Sequence, residues 1–410
     1  MPNFSIPLSG LAAESTALSA IANNLANQNT TGYKDTTVLF ADLFYQNLGT
    51  TGAGDPVQLG SGTKVQEMPA DFTQGNITST GVPTDVAIQG AGFFAVQSGG
   101  VTSYTRAGDF SVDNSNFLVT SAGQQVLGYP AVNGVVNTGS GVGPLQLGAG
   151  TISPPTPTTT ASITTNLNSG DAVGAIYSTP VTIYDSLGAQ HTLTFSFTKT
   201  AANAWNYTLT VPPADSSLPG GVVTTGTMTF DGSGNLLTPA ANLPGLSIPG
   251  LTDGAKNMTF AWDLYNAAGA PVITQVAAPD STSSTQQNGS ASGTLTDFSI
   301  GSNGTITGSF TNGNTAALGQ VALASFADQQ GLQLTGGTDY TQTLASGQAV
   351  IGTAGTGGRG TLSGGSLESS NVDISTEFAN LIVAQRAFEA DAKAVTTFDQ
   401  VSQDTIALKQ

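Results

Sequence analysis

The sequence predicts a mainly β protein with terminal α-helices: nested, discontinuous β domains plus an N-/C-terminal helical coiled-coil domain. Three observations carry this. Both ends of the 410-residue chain place apolar residues at three- and four-residue spacings. Between them, short runs of β-branched and aromatic residues alternate with polar ones and are bounded by Gly, Asn, Asp and Pro. The composition is that of a turn-rich chain, with 52 glycines and 9% charged residues where about a quarter is usual.

The first element is a helix over residues 5–28. Leu8, Leu11, Leu18, Ile21, Ala22 and Leu25 form one narrow apolar stripe along about 35 Å. It runs into "NNLANQNTTGYK", where Asn23, Asn24, Asn27 and Asn29 precede Thr-Thr-Gly. Gly32 suits a C-terminal cap, and Thr30 and Thr31 prefer extended backbone, so the stretch reads as the end of that helix. Next come strand patterns: "GVPTDVAIQGAGFFAVQ" (81–97), "VTIYDSLGAQHTLTFSF" (181–197) and "WNYTLTV" (205–211), with "DGSGN" (231–235) and "NGN" (312–314) as hairpin turns.

Three stretches divide the middle. "TISPPTPTTTAS" (151–162) is unsuited to a central strand and marks a boundary. "PDSTSSTQQNGSASG" (279–293) marks a return, and the glycine-rich "GTAGTGGRGTLSGG" (352–365) reads as a loop. The last element is a helix over 373–408, about 54 Å long, with Phe378, Leu381, Ile382, Phe388, Ala392, Val395, Phe398 and Val401 on its stripe and Gln385 and Arg386 interrupting the seam. Asn371 or Asp373 supplies its cap, and Glu377 sits in the first turn at the positive dipole end. The expected domains are therefore 1–30 with 371–410 (helical), 31–72 with 345–370 (connecting), 73–150 with 294–344 (middle β) and 151–293 (outer β).

Composition narrows the function. Net charge is −17, and the nine Lys and Arg are scattered singly, so neither nucleic acid nor an anionic membrane surface is an expected partner. The absence of cysteine removes disulfides, thiolate metal sites and Cys nucleophiles. No run of about 18 apolar residues occurs, so no membrane insertion is expected, and the N-terminal stretch lacks the pattern of a cleaved signal. The single histidine, His191, lies in a strand pattern and reads as a structural or surface residue. No triad, carboxylate pair or phosphate loop is singled out, and "DGSGN" lacks the distal Glu of a calcium loop. No catalytic residue, metal ligand or cofactor is expected. Sequons at Asn29, Asn76, Asn206, Asn257, Asn288 and Asn303 follow from an Asn-, Ser- and Thr-rich composition and carry no weight without a secretory signal.

Narrow stripes at opposite ends of a chain cannot each bury enough surface alone. They are expected to meet one another and then further copies, which makes Leu11, Leu18, Ile21, Leu25, Phe378, Leu381, Phe388, Val395 and Phe398 the candidate self-assembly residues. Leu18, Ile21 and Leu25 are expected to face Phe388, Val395 and Phe398.

With both ends in view the chain resembles the bacterial flagellar rod, hook and hook-associated axial proteins, and within them the hook subunits. "LSGLAAESTALSAIANNLANQNTTGYK" resembles the family's N-terminal motif, carried here by Asn23, Asn24, Asn27, Asn29, Gly32 and Tyr33. "DVAIQGAGFFAVQ" and "YTRAGDFSVD" are similar to its β-body elements, and "VTIYDSLGAQHTLTFSF" to the outer-domain motif that separates hook from rod. "GGSLESSNVDISTEFANLIVAQRAFEADAKAVTTFDQ" resembles the C-terminal signature, carried by Ser370, Asn371, Val372, Asp373, Gln385 and Arg386. Asn116 stands where the family has glycine; asparagine tolerates positive φ, so that hairpin is expected to persist.

The resemblance implies a structural subunit, exported unfolded by the flagellar type III apparatus without cleavage. It would polymerise beneath a cap protein into a curved tube between the distal rod protein and the hook–filament junction protein, passing torque as a universal joint. A distal rod or junction protein of the same family, and an acidic β-rich adhesin from another class, are the alternatives.

Overall fold

A computed structural model describes residues 4–147 and 152–408. The chain divides into two compact units. One comprises Met1–Ala149, Asp297–Gly308 and Ala316–Gln410; the other comprises Gly150–Thr296 and Ser309–Thr315. The boundary expected between residues 150 and 151 lies outside the described residues.

In the first unit, helix α1 (Ser5–Ala26) runs antiparallel to helix α2 (Ile374–Ala407). Phe4 meets Phe398 edge-on with ring centroids 6.2 Å apart, Gly10 abuts Asp391, and Asn24 meets Glu377. A side chain at Gly10 would collide with the Asp391 carboxylate, so the helices approach closely. Pro7 falls in the first turn of α1, where a missing N–H costs little. Asp373 caps α2, its Oδ1 accepting from the N–H groups of Ser375 and Thr376 at 2.8 and 3.1 Å. Asn371, the other expected cap, instead ties loops together.

The seam between the helices corrects the sequence reading. The buried residues of the two helices are Pro7, Ala13, Ala17, Ala20 and Asn24 from α1, and Glu377 and Ala384 from α2. The larger stripe residues are half-buried or exposed. In the antiparallel register Phe398 sits beside Phe4, about 31 Å along α1 from Leu25. The expected pairing of Leu18, Ile21 and Leu25 with Phe388, Val395 and Phe398 is therefore not the one within a single chain. Close packing selects small side chains, which a search for large apolar residues overlooks.

The β body of this unit centres on strand Phe93–Ser98. It pairs antiparallel with Val101–Thr105, Gln125–Val132 and Thr315–Ser325, and Val350–Thr353 joins the last of these. Val86, Ile88, Phe94, Val96, Leu118, Val126, Val321 and Leu323 form one core, and Phe93, Tyr104, Leu127 and Tyr340 a second. Asn116 adopts φ 67°, so the expected hairpin persists. The stretch 352–365 is not a loop throughout, because strands Val350–Thr353 and Thr361–Gly364 bracket its turn.

The second unit packs two sheets around one aromatic core. The first sheet is antiparallel, in the order Ile176–Tyr184, Gln190–Ala201, Ala204–Thr210, Val222–Phe230, Leu236–Thr238. Strand Gln190–Ala201 alternates exposed and buried residues along its length, as a one-faced sheet requires. In the second sheet Thr160–Asn168 pairs parallel with Met258–Trp262 and Ile273–Val276 and antiparallel with Ser281–Gln287. Trp205, Trp262, Phe195, Phe197 and Phe260 fill the space between, and Trp205 Nε1 donates to Gln275 Oε1 at 2.8 Å. "DGSGN" is a hairpin turn, with Asp231 Oδ1 accepting from the N–H groups of Ser233 and Asn235.

One expectation fails here. Thr160–Ser162, from the Pro/Thr stretch, open a central strand, since only the prolines upstream are barred from one. The polar stretch 279–293, expected to mark the return, contains strand Ser281–Gln287, held by backbone pairing to Thr160–Asn168 rather than by apolar side chains.

Candidate self-assembly site

The two ends of the sequence signature converge where α1 stops and α2 begins. Helix α1 ends at Ala26, and the N–H of Asn27 returns to the carbonyls of Asn23 and Asn24. Gly32 is therefore not the helix cap. At φ 68° it sends its N–H to the carbonyl of Glu368 at 2.9 Å, and a Cβ there would strike the backbone of Arg106 and Ala107. The glycine allows a close chain crossing, and Thr30 and Thr31 belong to the turn before it.

The asparagines build a network. Asn23 Nδ2 donates to the Tyr33 hydroxyl at 3.0 Å, and that hydroxyl donates to Asn24 Oδ1 at 3.0 Å. Asn24, almost wholly buried, also donates to Asp35 Oδ1 at 2.5 Å and to the Thr36 carbonyl at 3.0 Å, and its Nδ2 lies 3.4 Å from Glu377 Oε2. Asn27 Nδ2 donates to the Asn23 carbonyl, while Asn29 is exposed. From the C-terminal motif, Asn371 Oδ1 accepts from the Asp35 N–H at 2.8 Å and its Nδ2 donates to the Asp71 carbonyl at 2.8 Å. Ser370 Oγ accepts from the Val372 N–H. Burial first, then the charges of Glu377 and Asp71, push the Asp35 carboxyl above its usual range. Burial likewise raises the Tyr33 phenol, with Asp35 and Glu377 adding to it.

Beneath this lies a buried charge cluster that the sequence reading missed as a site. Glu368 accepts from Lys34 Nζ at 2.7 Å and Arg106 Nη1 at 3.3 Å, and from the Gly75 N–H at 3.0 Å. The Lys34 and Glu368 side chains are fully buried. Arg106 also donates to the Gly90 carbonyl at 2.8 Å and stacks over Phe93. Burial lowers both cations' pKa values against the opposing pull of Glu368. The only sequence signal was that Lys34, Arg106 and Glu368 lie inside or beside the quoted motifs; the pairings span hundreds of residues. This cluster fixes the backbone leading out of α1 to the strand leading into α2.

Above this joint, the helices expose apolar surface. Ile374, Phe378 and Ile382 lie at four-residue spacing on one face of α2, with Phe378 53% and Ile382 58% exposed. Leu8, Val383, Val401 and Ile406 are exposed as well. Leu11, Leu18, Ile21, Leu25, Leu381, Phe388, Val395 and Phe398 are half-buried. Gln385 and Arg386 face solvent, Arg386 pairing with Glu389 at 2.9 Å. The segment after the joint adds Phe40, Phe44, Tyr45 and Leu48, all exposed. Isolated apolar residues on a surface are ordinary; here Ile374, Phe378 and Ile382 share one exposed face of a terminal helix.

The chain thus joins an antiparallel pair of terminal helices to a β body and leaves apolar side chains of the helices exposed. Family profiles agree along the chain. They match a flagella basal body rod protein domain over 6–34, a flagellar hook protein FlgE/F/G D1 domain over 87–166, a flagellar basal body protein FlaE D2 domain over 151–290, and a flagellar basal body rod FlgEFG protein C-terminal domain over 363–408. The flagellar hook protein FlgE of Escherichia coli K12 is 37% identical over 99% of this chain and all of its own length. That of Treponema pallidum is 34% identical over 98% of each chain. The solved Helicobacter pylori flagellar hook protein FlgE2 aligns with 71% of this chain and 100% of its own at 15% identity and a TM-score of 0.48. The chain belongs to the flagellar hook protein family.

Proposed function

We propose that this chain is the repeating subunit of the flagellar hook, a curved tube that passes torque from rod to filament as a universal joint. The observation that carries the reading is the exposed face of α2 around Ile374, Phe378 and Ile382, on helices whose mutual seam is filled by alanines. Such a pair has its larger apolar side chains still to bury, and neighbouring copies supply the surface. The outer unit carries its own aromatic core, so it needs no neighbour to fold. Its polar surface suits weak, wet contacts that re-register as the tube bends while turning.

In this reading the subunit leaves the cell unfolded through the type III export apparatus, without a cleaved signal, and is placed beneath the hook cap protein. The distal rod protein and the hook–filament junction protein bound the finished tube. Electron microscopy of the purified chain and of a deletion strain tests the reading. Curved tubes from the protein, and cells lacking hooks and filaments, support it; straight rods, or cells that remain motile, contradict it.

A further inference from the structure

One end of the outer unit gathers the chain's single histidine and three carboxylates from separate loops. His191, in strand Gln190–Ala201, is 7% exposed. Its Nε2 lies 3.3 Å from Asp185 Oδ2 and 3.7 Å from Asp253 Oδ2, and its Nδ1 lies 3.2 Å from Asp215 Oδ2. Asp185 is fully buried in the turn before that strand. Asp215 lies in the segment after strand Ala204–Thr210, and Asp253 in the segment after Leu243–Ile248.

The carboxylates are held in place. Asp185 Oδ1 accepts from the N–H groups of Leu187 and Ala189 at 2.8 and 2.9 Å, and Asp253 Oδ1 accepts from the Ala255 N–H at 3.0 Å. In each, Oδ2 is the oxygen turned towards the imidazole. The two outer loops are also tied together, the Thr252 N–H donating to the Asp215 carbonyl at 3.1 Å and the Ser217 N–H to the Gly250 carbonyl at 3.1 Å.

With Nδ1–H donated to Asp215, a neutral imidazole presents the lone pair of Nε2 to two carboxylate oxygens. These three acceptor atoms lie within 4.8 Å of one another. Among the described residues no Lys or Arg pairs with Asp185, Asp215 or Asp253. Two of these three groups, Asp185 and His191, are buried, and three converging acceptors are satisfied by a cation at their centre. The outward carboxylate on Nδ1 is the arrangement that orients a metal-binding histidine and raises its basicity.

We propose that Asp185 Oδ2, His191 Nε2 and Asp253 Oδ2 bind one divalent transition-metal ion, with Asp215 as the positioning residue. One imidazole nitrogen and two carboxylate oxygens suit Zn²⁺ and its first-row neighbours, while Ca²⁺ and Mg²⁺ prefer all-oxygen shells. The ion would pin the three loops at this end of the unit. A proton on Nε2 is the competing cation, and it makes a different prediction.

The chain has one histidine and no cysteine, so nitrogen-ligated metal reports on His191 when untagged protein is used. Equilibrium dialysis of the untagged full-length chain against Zn²⁺ at neutral pH is expected to give one ion per chain. Co²⁺ is expected to give visible d–d absorption that Zn²⁺ abolishes. Asp253→Asn, whose side chain is 30% exposed and lies outside the strands, should weaken Zn²⁺ binding at least tenfold. Asp215→Asn should weaken it about 10- to 100-fold. Near-ultraviolet circular dichroism of the buried Trp205 and Trp262 verifies that the variants stay folded. Binding well below one ion per chain in the unmutated protein, preference for Ca²⁺ over Zn²⁺, or unchanged binding in folded Asp253→Asn would overturn the assignment.

Discussion

The terminal helices and the second unit bury opposite kinds of residue. The second unit encloses Trp205, Trp262, Phe195 and Phe197 between two sheets and leaves polar alternates outside. The helix pair encloses Ala13, Ala17, Ala20 and Ala384 and leaves Ile374, Phe378 and Ile382 outside. Free energy from apolar burial scales with area, so the aromatic-cored unit gains most of its stabilisation within one chain. In the proposed reading the helix pair gains the remainder when copies meet. Substitutions should therefore separate them by which observable they move.

The largest stability effect is expected in the second unit. Trp262→Ala removes a fully buried indole packed on Phe195 and Tyr207, and should cost about 3–5 kcal/mol in denaturant unfolding of the purified chain. A loss near zero would show that this core is not the source of the unit's stability. Next comes the joint. Glu368→Gln leaves the Lys34 and Arg106 charges without their counter-ion, and should cost about 3 kcal/mol, towards the lower end for breaking a buried pair because glutamine still accepts hydrogen bonds. Differential scanning calorimetry that finds the variant as stable as the parent would remove the cluster's assigned role.

A smaller effect sits in the second β core. Burial pushes the Tyr340 phenol up to about 12, from 10 in the unfolded chain. The unfolded state thus gives up its proton first as pH rises. The stabilisation is complete below pH 10 and is lost as pH rises through about 12. Two units correspond to about 2.7 kcal/mol at most. Tyr340→Phe should flatten the fall in unfolding free energy across that window, and an unchanged slope would assign the fall to other groups.

Periodicity in the sequence was enough to place both terminal helices, because each repeats apolar residues over many turns, and to name Asp373 as one of two caps. Alternation placed the strands around Phe93 and Phe195, and the positive φ of Asn116 was expected from the family's glycine at that position and asparagine's tolerance of it. The helix seam was misread for a physical reason: a search for large apolar residues finds side chains that remain half-buried or exposed, while the buried positions are mostly alanines. Gly32 was misread because its constraint comes from Arg106 and Ala107, far along the chain. The Glu368 cluster, and Asp215 and Asp253 beside His191, were invisible for the same reason, since folding brings together groups that no local pattern links; only Asp185 lies near His191 in the sequence.

The smallest expected stability effect belongs to the exposed face of α2, and it tests the central claim most directly. Phe378→Asp and Ile382→Asp replace side chains that make little contact within the chain, so the unfolding free energy of the purified protein should change by no more than about 0.5 kcal/mol. Polymerisation, followed by sedimentation and electron microscopy, should be abolished in the same samples. Tubes of normal length and number from either stable variant would contradict the account.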